Sequence, residues 1–507
     1  MASSKSYTNE TISSVWEKLS SNKTAVITRA EDCSKLTIPS IFPKEGFDDA
    51  STEDDVYQSL GARAVLNLAA KFMQTLFPTT ATFFKLMPTK DFEEQILAGS
   101  DKTALDNLNA QLVKLETAIT NEMERQSIRK QIHESLKLLI VTGNVCLWKN
   151  QGDITLFSLR NYVVKRDTKG TVLDLVLREK MSPKAIPDTI KLKNVDVDEI
   201  TVYTRMVADG EGNYQIYQEV ENEIIAGSEQ TIKLTDPNPF IVLRWTATAG
   251  SSYGRGLVEH YLGDLRNYEA INMVIVDTAS VMSRTVFLVN PNSQHGTDVD
   301  ALNEAVTGDY IAGHADDITV PQTNKNSDLA VLLNYMQILE TRLSQAFLLF
   351  TQRNAERVTA QEIRQVTQQL EETLGGIYTI LAEDLQKPLL QNLMKELKIK
   401  LDKKIDSVIT TGLDAIGRGS DANKLLQFLE MLGMIPNGYT YLNESTLVQR
   451  MAYSMGIAVD GLLKSPEQLQ QEQQAQQQAD MENQFGSAVA QQGGKNLADV
   501  GLQQQGA

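Results

Sequence analysis

Two apolar helical stretches flank a turn-rich insertion in the middle of the chain, and this order constrains the fold more than any other feature. The first stretch, residues 256–284, opens from Ser252-Tyr253-Gly254-Arg255-Gly256 and carries Val258, Tyr261, Leu262, Leu265 and Tyr268. Their three- and four-residue spacing puts them on one face of a helix. Around Met273-Val274-Ile275-Val276 the apolar character wraps round, so that part needs neighbours on several sides. At ~1.5 Å per residue such a helix is about 40 Å long. The second stretch, residues 328–349, repeats Leu329, Leu332, Leu333, Met336, Leu339, Leu343 and Phe347 on a comparable stripe. Two helices around a small insertion, residues 285–327, pack most simply as an antiparallel pair.

A short polar loop, residues 350–358, precedes the clearest helix start in the chain. Thr359-Ala360-Gln361-Glu362 is a capping box, in which the threonine hydroxyl takes the N3 amide and the glutamate reaches back to the cap amide. Val358 and Ile363 sit where a hydrophobic staple belongs. Ile363, Val366, Leu370 and Leu374 continue one face, Gly375-Gly376 interrupts it, and Ile377, Ile380, Leu381, Leu385 and Leu389 resume it. With Pro388 removing a donor further on, the pattern predicts one long helix kinked near the glycine pair.

The flanking regions give the fold class. Ile12, Val15, Trp16 and Leu19 open an amphipathic helix, and Pro39 and Pro43 bound a loop. Residues 60–77 read as a strong helix with Ala64, Leu68, Phe72 and Leu76 on one face. A helical tract is expected over residues 102–149, broken at Gly143. Then β-branched and alternating segments appear: Ile154-Thr155-Leu156-Phe157, Tyr162-Val163-Val164, Val172 to Leu177, and a hairpin pairing Ile200-Thr201-Val202-Tyr203 with Tyr214-Gln215-Ile216-Tyr217 around Asp209-Gly210-Glu211-Gly212-Asn213. Phe240 to Trp245 is one more strand. Helices, a strand block and helices again predict an α+β protein, mainly α, without a wound parallel sheet. After Gly419 the chain reads as helical through Leu425, Phe428, Leu429 and Leu432, turns at Pro436-Asn437-Gly438, and continues through Leu447, Met451 and Met455. Beyond Pro466 it is glutamine- and alanine-rich, the composition of a solvated helix followed by disorder.

With 507 residues, 42% hydrophobic and 22% charged, the chain is expected to form two or more lobes of a globular protein. A formal net charge of -17 speaks against a tight sequence-independent nucleic-acid binder. Two cysteines, Cys33 and Cys146, provide no disulfide framework and suit a reducing compartment. No signal peptide is expected, and no apolar run approaches the ~20 residues that span a membrane.

Catalytic and metal signals are weak. Gly250-Ser251-Ser252-Tyr253-Gly254 matches G-x-S-x-G between a predicted strand and a helix, as a nucleophile elbow requires. Only His260, His295 and His314 follow it, and no repeated strand–helix pattern supplies the sheet, so a glycine-rich turn that aims the long helix is preferred to a serine hydrolase on Ser252. The four histidines make no paired ligand spacing, Asp209 to Asn213 lacks calcium-loop spacing, and Gly493-Gly494-Lys495-Asn496 lacks the Ser/Thr of a phosphate loop. No catalytic residue, cofactor or metal is therefore assigned. Arg353 and Arg357 in the polar loop, with Arg364 one turn into the capped helix, read from their residues alone as a solvated, locally basic loop.

An ordered set of segments resembles the head-to-tail connector, or portal, family of short-tailed phages. It comprises Thr37-Ile38-Pro39-Ser40-Ile41-Phe42-Pro43, Ser252 to Gly256 with Tyr261-Leu262-Gly263-Asp264-Leu265-Arg266, Glu356-Arg357-Val358-Thr359-Ala360 with Glu362-Ile363-Arg364, Leu370 to Tyr378, and Thr411-Gly412-Leu413-Asp414-Ala415-Ile416-Gly417-Arg418-Gly419. The resemblance runs through nearly the whole chain in order, and is weakest in the insertion and in the last forty or so residues.

The resemblance implies a ring of copies, twelve in that family, with a wing (residues 1–255 and 359–419), two stem helices (256–284 and 328–349), a clip (285–327), a channel loop (350–358) and a helical crown with a glutamine-rich tail (420–507). It implies a structural protein at one capsid vertex of a virion, assembled in the host cytoplasm. Its channel passes double-stranded DNA during packaging and ejection. Its implied partners are its own copies, the terminase motor, a tail adaptor, and the major capsid and scaffolding proteins, with no membrane. By the same match Arg353 and Arg357 face DNA, while Arg364 has a competing partner in Glu362 or Gln368. A non-ring helical scaffold or adaptor of the same assembly pathway stays open as an alternative.

Overall fold

A computed structural model describes residues 10–46, 56–78, 82–98, 102–150, 152–185, 197–283, 326–349, 376–399 and 404–409, with short pieces between 288 and 319 and between 425 and 451. The chain divides into two compact units, residues 1–99 with 115–416 and residues 100–114 with 417–507.

In the first unit the strands form an antiparallel block. Its largest sheet orders β4 (Tyr162–Arg166), β5 (Val172–Met181), β6 (Ile200–Ala208), β7 (Asn213–Val220) and β8 (Glu223–Ile224), and β9 (Gln230–Lys233) also pairs with β7. The expected hairpin is present, with Asp209 accepting the amides of Glu211 and Asn213 in its turn. The two-residue side-chain period assigns each strand's residues to opposite faces. Leu175, Leu177, Met206, Tyr214 and Ile216 join a core with Ala30, Phe42, Cys146, Phe157 and Phe240. Val163, Val176, Val207 and Tyr217 face the other way, onto Ile12, Val15 and Trp16 of α1 (Ile12–Ser21). Both faces of the sheet are therefore covered. Thr11 caps α1 by accepting from the Ser14 amide, and the Glu219 carboxylate takes the amides of Ile12 and Ser13 at 2.7 and 3.2 Å.

A second, three-stranded sheet orders β10 (Phe240–Arg244), β2 (Asn144–Asn150) and β3 (Asp153–Phe157). Here the expected helical tract over 102–149 is corrected. It is two helices, α5 (Lys102–Arg125) and α6 (Ile128–Thr142), separated at Ser127, which adopts a left-handed φ of 52°. The residues after Gly143 form β2, because Val145, Cys146 and Leu147 are buried between two strands. A ribbon of β1 (Phe84–Pro88) with β15 (Ile405–Ile409) was not anticipated at all.

The helix α3 (Leu60–Leu76) runs through the middle of this unit. Leu60, Ala64, Leu68, Phe72 and Leu76 are buried, and so are Lys71 and Thr75. The Phe72 ring packs edge-on to Trp245 at 5.5 Å and beside Tyr378 at 5.4 Å. The helix α2 (Thr24–Lys35) lies in the same body, and α4 (Lys90–Ala98) follows β1.

Beyond β11 (Thr246–Ala247) and β12 (Gly254–Arg255) come the two central helices. The first is a short turn, α7 (Leu257–His260), a break at Tyr261, and then α8 (Leu262–Ser283). The second is α9 (Asn326–Ala346). In the insertion the described pieces include the two-residue pair β13 (Leu288–Val289) and β14 (Ile318–Thr319). Residues 376–381 are helical and lead through a π-helical turn (Ala382–Gln386) into α10 (Lys387–Glu396). The irregular turn sits just ahead of Pro388, which has no amide to give to the preceding turn. The capping box at Thr359, the face from Ile363 to Leu374 and the kink expected at Gly375 lie outside the described residues, as does the glutamine-rich tail.

In the second unit the described residues include the first half of α5 and a helical piece at 428–433, where Phe428 and Met431 are exposed.

Candidate functional site

The candidate site is the helix pair α8/α9 and the two junctions that fix it to the rest of the unit. The first junction explains the glycine-rich turn. Gly143 ends α6 with φ +73°, and a side chain there would lie 2.3 Å from the backbone of Arg255 and Gly256. At Gly256 a Cβ would meet the Val141 carbonyl at 2.7 Å, and at Gly254 it would meet the Thr246 carbonyl at 2.9 Å. Only glycine allows these backbones to touch. Asn144 closes the contact: its Nδ2 donates to the Gly254 carbonyl at 2.9 Å, and its Oδ1 accepts from the Gly254 amide at 2.7 Å. The direction in which α7 and α8 leave the body is set here.

Ser252 and Tyr253 have a related task. The Val164 amide donates to the Tyr253 hydroxyl and the Arg166 amide to Ser252 Oγ, both at 3.2 Å. Val164 and Arg166 lie two apart on β4, an edge strand, so these hydroxyls occupy its outward amides and cap the edge. Ser252 thus holds backbone, and no histidine bonds it among the described residues. Burial pushes the Tyr253 hydroxyl up to about 12. Groups of three or more metal-ligating side chains are absent among the described residues.

On α9 Leu329, Leu332 and Met336 are half-buried and Leu339 and Leu343 buried, alternating three and four residues apart. Leu265, Tyr268 and Ile271 of α8, and Leu339, Leu343 and Phe347 at the end of α9, are buried next to the body. The Tyr261 and Phe347 rings lie 5.6 Å apart, and Arg342 reaches Asp264 at 3.3 Å. The far halves differ. Met273, Val274, Val276, Val281 and Met282 of α8, and Val331, Leu333, Tyr335 and Ile338 of α9, are exposed, Val331 to 68% and Val281 to 60%. On α8 these side chains point in several directions, and the neighbouring helix of the same chain leaves them exposed. Exposed apolar side chains gathered on two neighbouring helices make this a candidate association face.

The second junction ends α9. The amides of Leu348 and Leu349 return to the carbonyls of Gln345 and Ser344 at 3.2 and 2.7 Å, a Schellman end. The left-handed residue is Leu348, φ 54°, where glycine is usual, at a steric cost of about 1 kcal/mol. Its side chain is buried, and its carbonyl accepts from Lys71 Nζ and, at 3.3 Å, from Asn67 Nδ2, both on α3. Burial holds the Lys71 ammonium below the usual lysine range. Sequence reasoning missed Lys71, whose partner lies far along the chain. Arg353, Arg357 and Arg364 lie outside the described residues, which end at Leu349 and resume at Gly376.

An α+β body that holds an exposed apolar helix pair by its backbone, with Ser252 spent on an edge strand, has the features of a structural protein. The relatives specify which. The chain belongs to the family described as bacteriophage head to tail connecting protein, whose model matches residues 9–462. It is 37% identical over 506 residues to the portal protein of Escherichia phage T7, covering 95% of this chain and 93% of that one. It is 36% identical to the portal protein of Enterobacteria phage T3, covering 90% and 88%, and 31% identical to that of Enterobacteria phage SP6, covering 94% and 95%. These relatives are structural proteins and not enzymes, which sets aside the hydrolase reading of Ser252. A chain of the neck of an empty GTA particle, computed with C6 symmetry, is similar at 11% identity and a TM-score of 0.41, over 84% of this chain and 94% of that one. No described helix is long and apolar enough to cross a membrane.

Proposed function

We propose that this chain is the subunit of a portal ring of twelve copies at one capsid vertex, through which double-stranded DNA enters during packaging and leaves during ejection. The carrying observation is the uncovered apolar surface on the far halves of α8 and α9. In a head-to-tail ring each copy presents one side of its helix pair to the next, and closure covers both sides. Family membership makes a portal ring the assembly to expect.

In this reading residues 256–284 and 328–349 are the stem, and residues 285–327 are the clip that meets the terminase motor and later the tail adaptor. Residues 1–255 and 359–419 form the wing, set against the capsid and scaffolding proteins, and residues 420–507 the crown and tail. The protein is assembled in the host cytoplasm and resides in the virion. The loop 350–358 lines the channel, where Arg353 and Arg357 contact phosphates, with Arg364 close by. A ring repeats each arginine once per copy, so two residues become a basic belt on an otherwise acidic protein. Such contacts are sequence-independent and weaken with salt, which suits a brake on sliding DNA. Acidic surface elsewhere in the channel repels phosphate and keeps DNA from sticking.

Replacing Val281 and Val331 by glutamate tests the association face. Sedimentation velocity should show the double variant folded but unable to form rings. Rings formed with wild-type yield would remove this surface from the interface.

A further inference from the structure

We infer that α3 fixes the direction in which the chain leaves the helix pair at Leu348, and that Lys71 is the principal positioning residue there. This inference rests on the channel-loop reading of residues 350–358. The chain departs from α3 at Leu348, whose carbonyl is held by Lys71 Nζ and Asn67 Nδ2. It is back on α3 by Tyr378, whose hydroxyl lies 2.7 Å from Thr75 Oγ1, and Gln386 Nε2 donates to the Leu76 carbonyl at 2.6 Å. Lys71 and Thr75 are one helical turn apart, about 6 Å along the axis. Departure and return are thus hung on adjacent turns of one buried helix.

That helix has little freedom to yield. Phe72, between Lys71 and Thr75, is packed against Trp245 and Tyr378. At its start, a side chain on Gly61 would lie 2.2 Å from the Leu36 carbonyl, and Gln58 bonds both the Gly61 amide and that carbonyl at 2.8 Å. On its surface Arg63 approaches Glu340 of α9 at 3.6 Å. A buried ammonium on a carbonyl is a costly arrangement unless the partner is fixed, and here it sets the direction of a left-handed leucine. Leu348 is buried one residue before the described segment ends at Leu349, so its backbone direction sets how the chain leaves α9.

The test uses full-length protein in assembled rings and packaged particles. Amide hydrogen exchange is followed in the peptide covering 344–358 for wild type, Lys71→Met and Lys71→Arg, with Asn67→Leu as a milder variant should Lys71→Met not fold. The expected result is exchange about tenfold faster in Lys71→Met, the loss of one charge-assisted bond. The α8 peptide 262–283 should not change, and Lys71→Arg should restore protection. Packaged particles of Lys71→Met should also lose the salt-sensitive part of their DNA retention, as an Arg353/Arg357 double alanine variant does. Unchanged exchange in 344–358 would overturn the role. So would faster exchange with wild-type DNA retention while the double alanine variant leaks, an outcome that leaves the arginine reading standing. If the double alanine variant itself retains DNA, the arginine reading fails, and the exchange result alone decides whether Lys71 fixes the chain's departure.

Discussion

Asn144 and Gly254 exchange two hydrogen bonds, 2.9 and 2.7 Å long, between a side-chain amide and a backbone more than a hundred residues away. The pair imitates one rung of an antiparallel ladder, at the point where α6 ends and the first central helix is about to begin. Replacing Asn144 by alanine orphans a buried amide and a buried carbonyl, at a cost of about 3 kcal/mol. Chemical denaturation of the purified protein should show that loss. Gly256→Ala should be worse, because its Cβ would overlap two α6 carbonyls, and should abolish ring assembly.

Ser252→Ala should be mild. It removes one acceptor for the Arg166 amide at the rim of β4, worth about 1 kcal/mol. The wild-type protein should not react with a fluorophosphonate probe, read by intact mass. Stoichiometric labelling at Ser252 would restore the hydrolase reading.

Lys23 gives a pH dependence with a definite sign. Its ammonium donates to the carbonyls of Leu159 and Tyr162 at 2.9 and 3.0 Å and stacks on the Trp16 ring. Burial first, then the positive charges of Arg178 and Arg160, lower its pKa from 10.5 to about 7. Between those values the unfolded chain binds more protons than the folded one, so this group makes stability rise with pH from about 7 to 10.5. Unfolding free energies at pH 7 and pH 9.5 should differ less in Lys23→Met than in wild type. An equal difference in both would remove Lys23 as the source.

Glu396 acts in the opposite range. Burial raises its carboxyl, but hydrogen bonds from Lys149, Gln126 and the Gly152 amide, with the Lys149 charge, outweigh that and hold it below the usual 4.5. A depressed carboxylate contributes stability above its unfolded pKa and loses it as pH falls through the folded one. Glu396→Gln should flatten the acid limb of the stability curve below about pH 4.5, measured by thermal melting. A limb as steep as that of wild type would show that the loss lies elsewhere.

The parts of the fold that could be read in the sequence are those written in local spacing. The α9 seam from Leu329 to Leu343 and the turn Asp209 to Asn213 each contain their own signal. The glycine turn before α7 was also legible as an aiming device, though its contact with Gly143 was not. What was missed depends on partners distant in the chain. Val145-Cys146-Leu147-Trp148 is an apolar run that serves a buried strand or a helix equally, and only β10 and β3 decide it. The β1/β15 ribbon joins Phe84 to Ile409 and carries no local mark. Lys71 carries no local mark of its role, because its acceptor belongs to Leu348. The loop arginines came from the family resemblance, since nothing in their spacing separates a channel lining from a solvated loop.

In the function proposed above, this chain closes into a ring through its helix pair. Native mass spectrometry of the purified full-length protein, with negative-stain imaging of the same sample, tests it most directly. A portal ring should give one dominant species of twelve subunits and particles with a central hole. A monodisperse monomer that persists at high concentration would contradict it, leaving the apolar surface of α8 and α9 without an occupant and favouring a non-ring scaffold or adaptor.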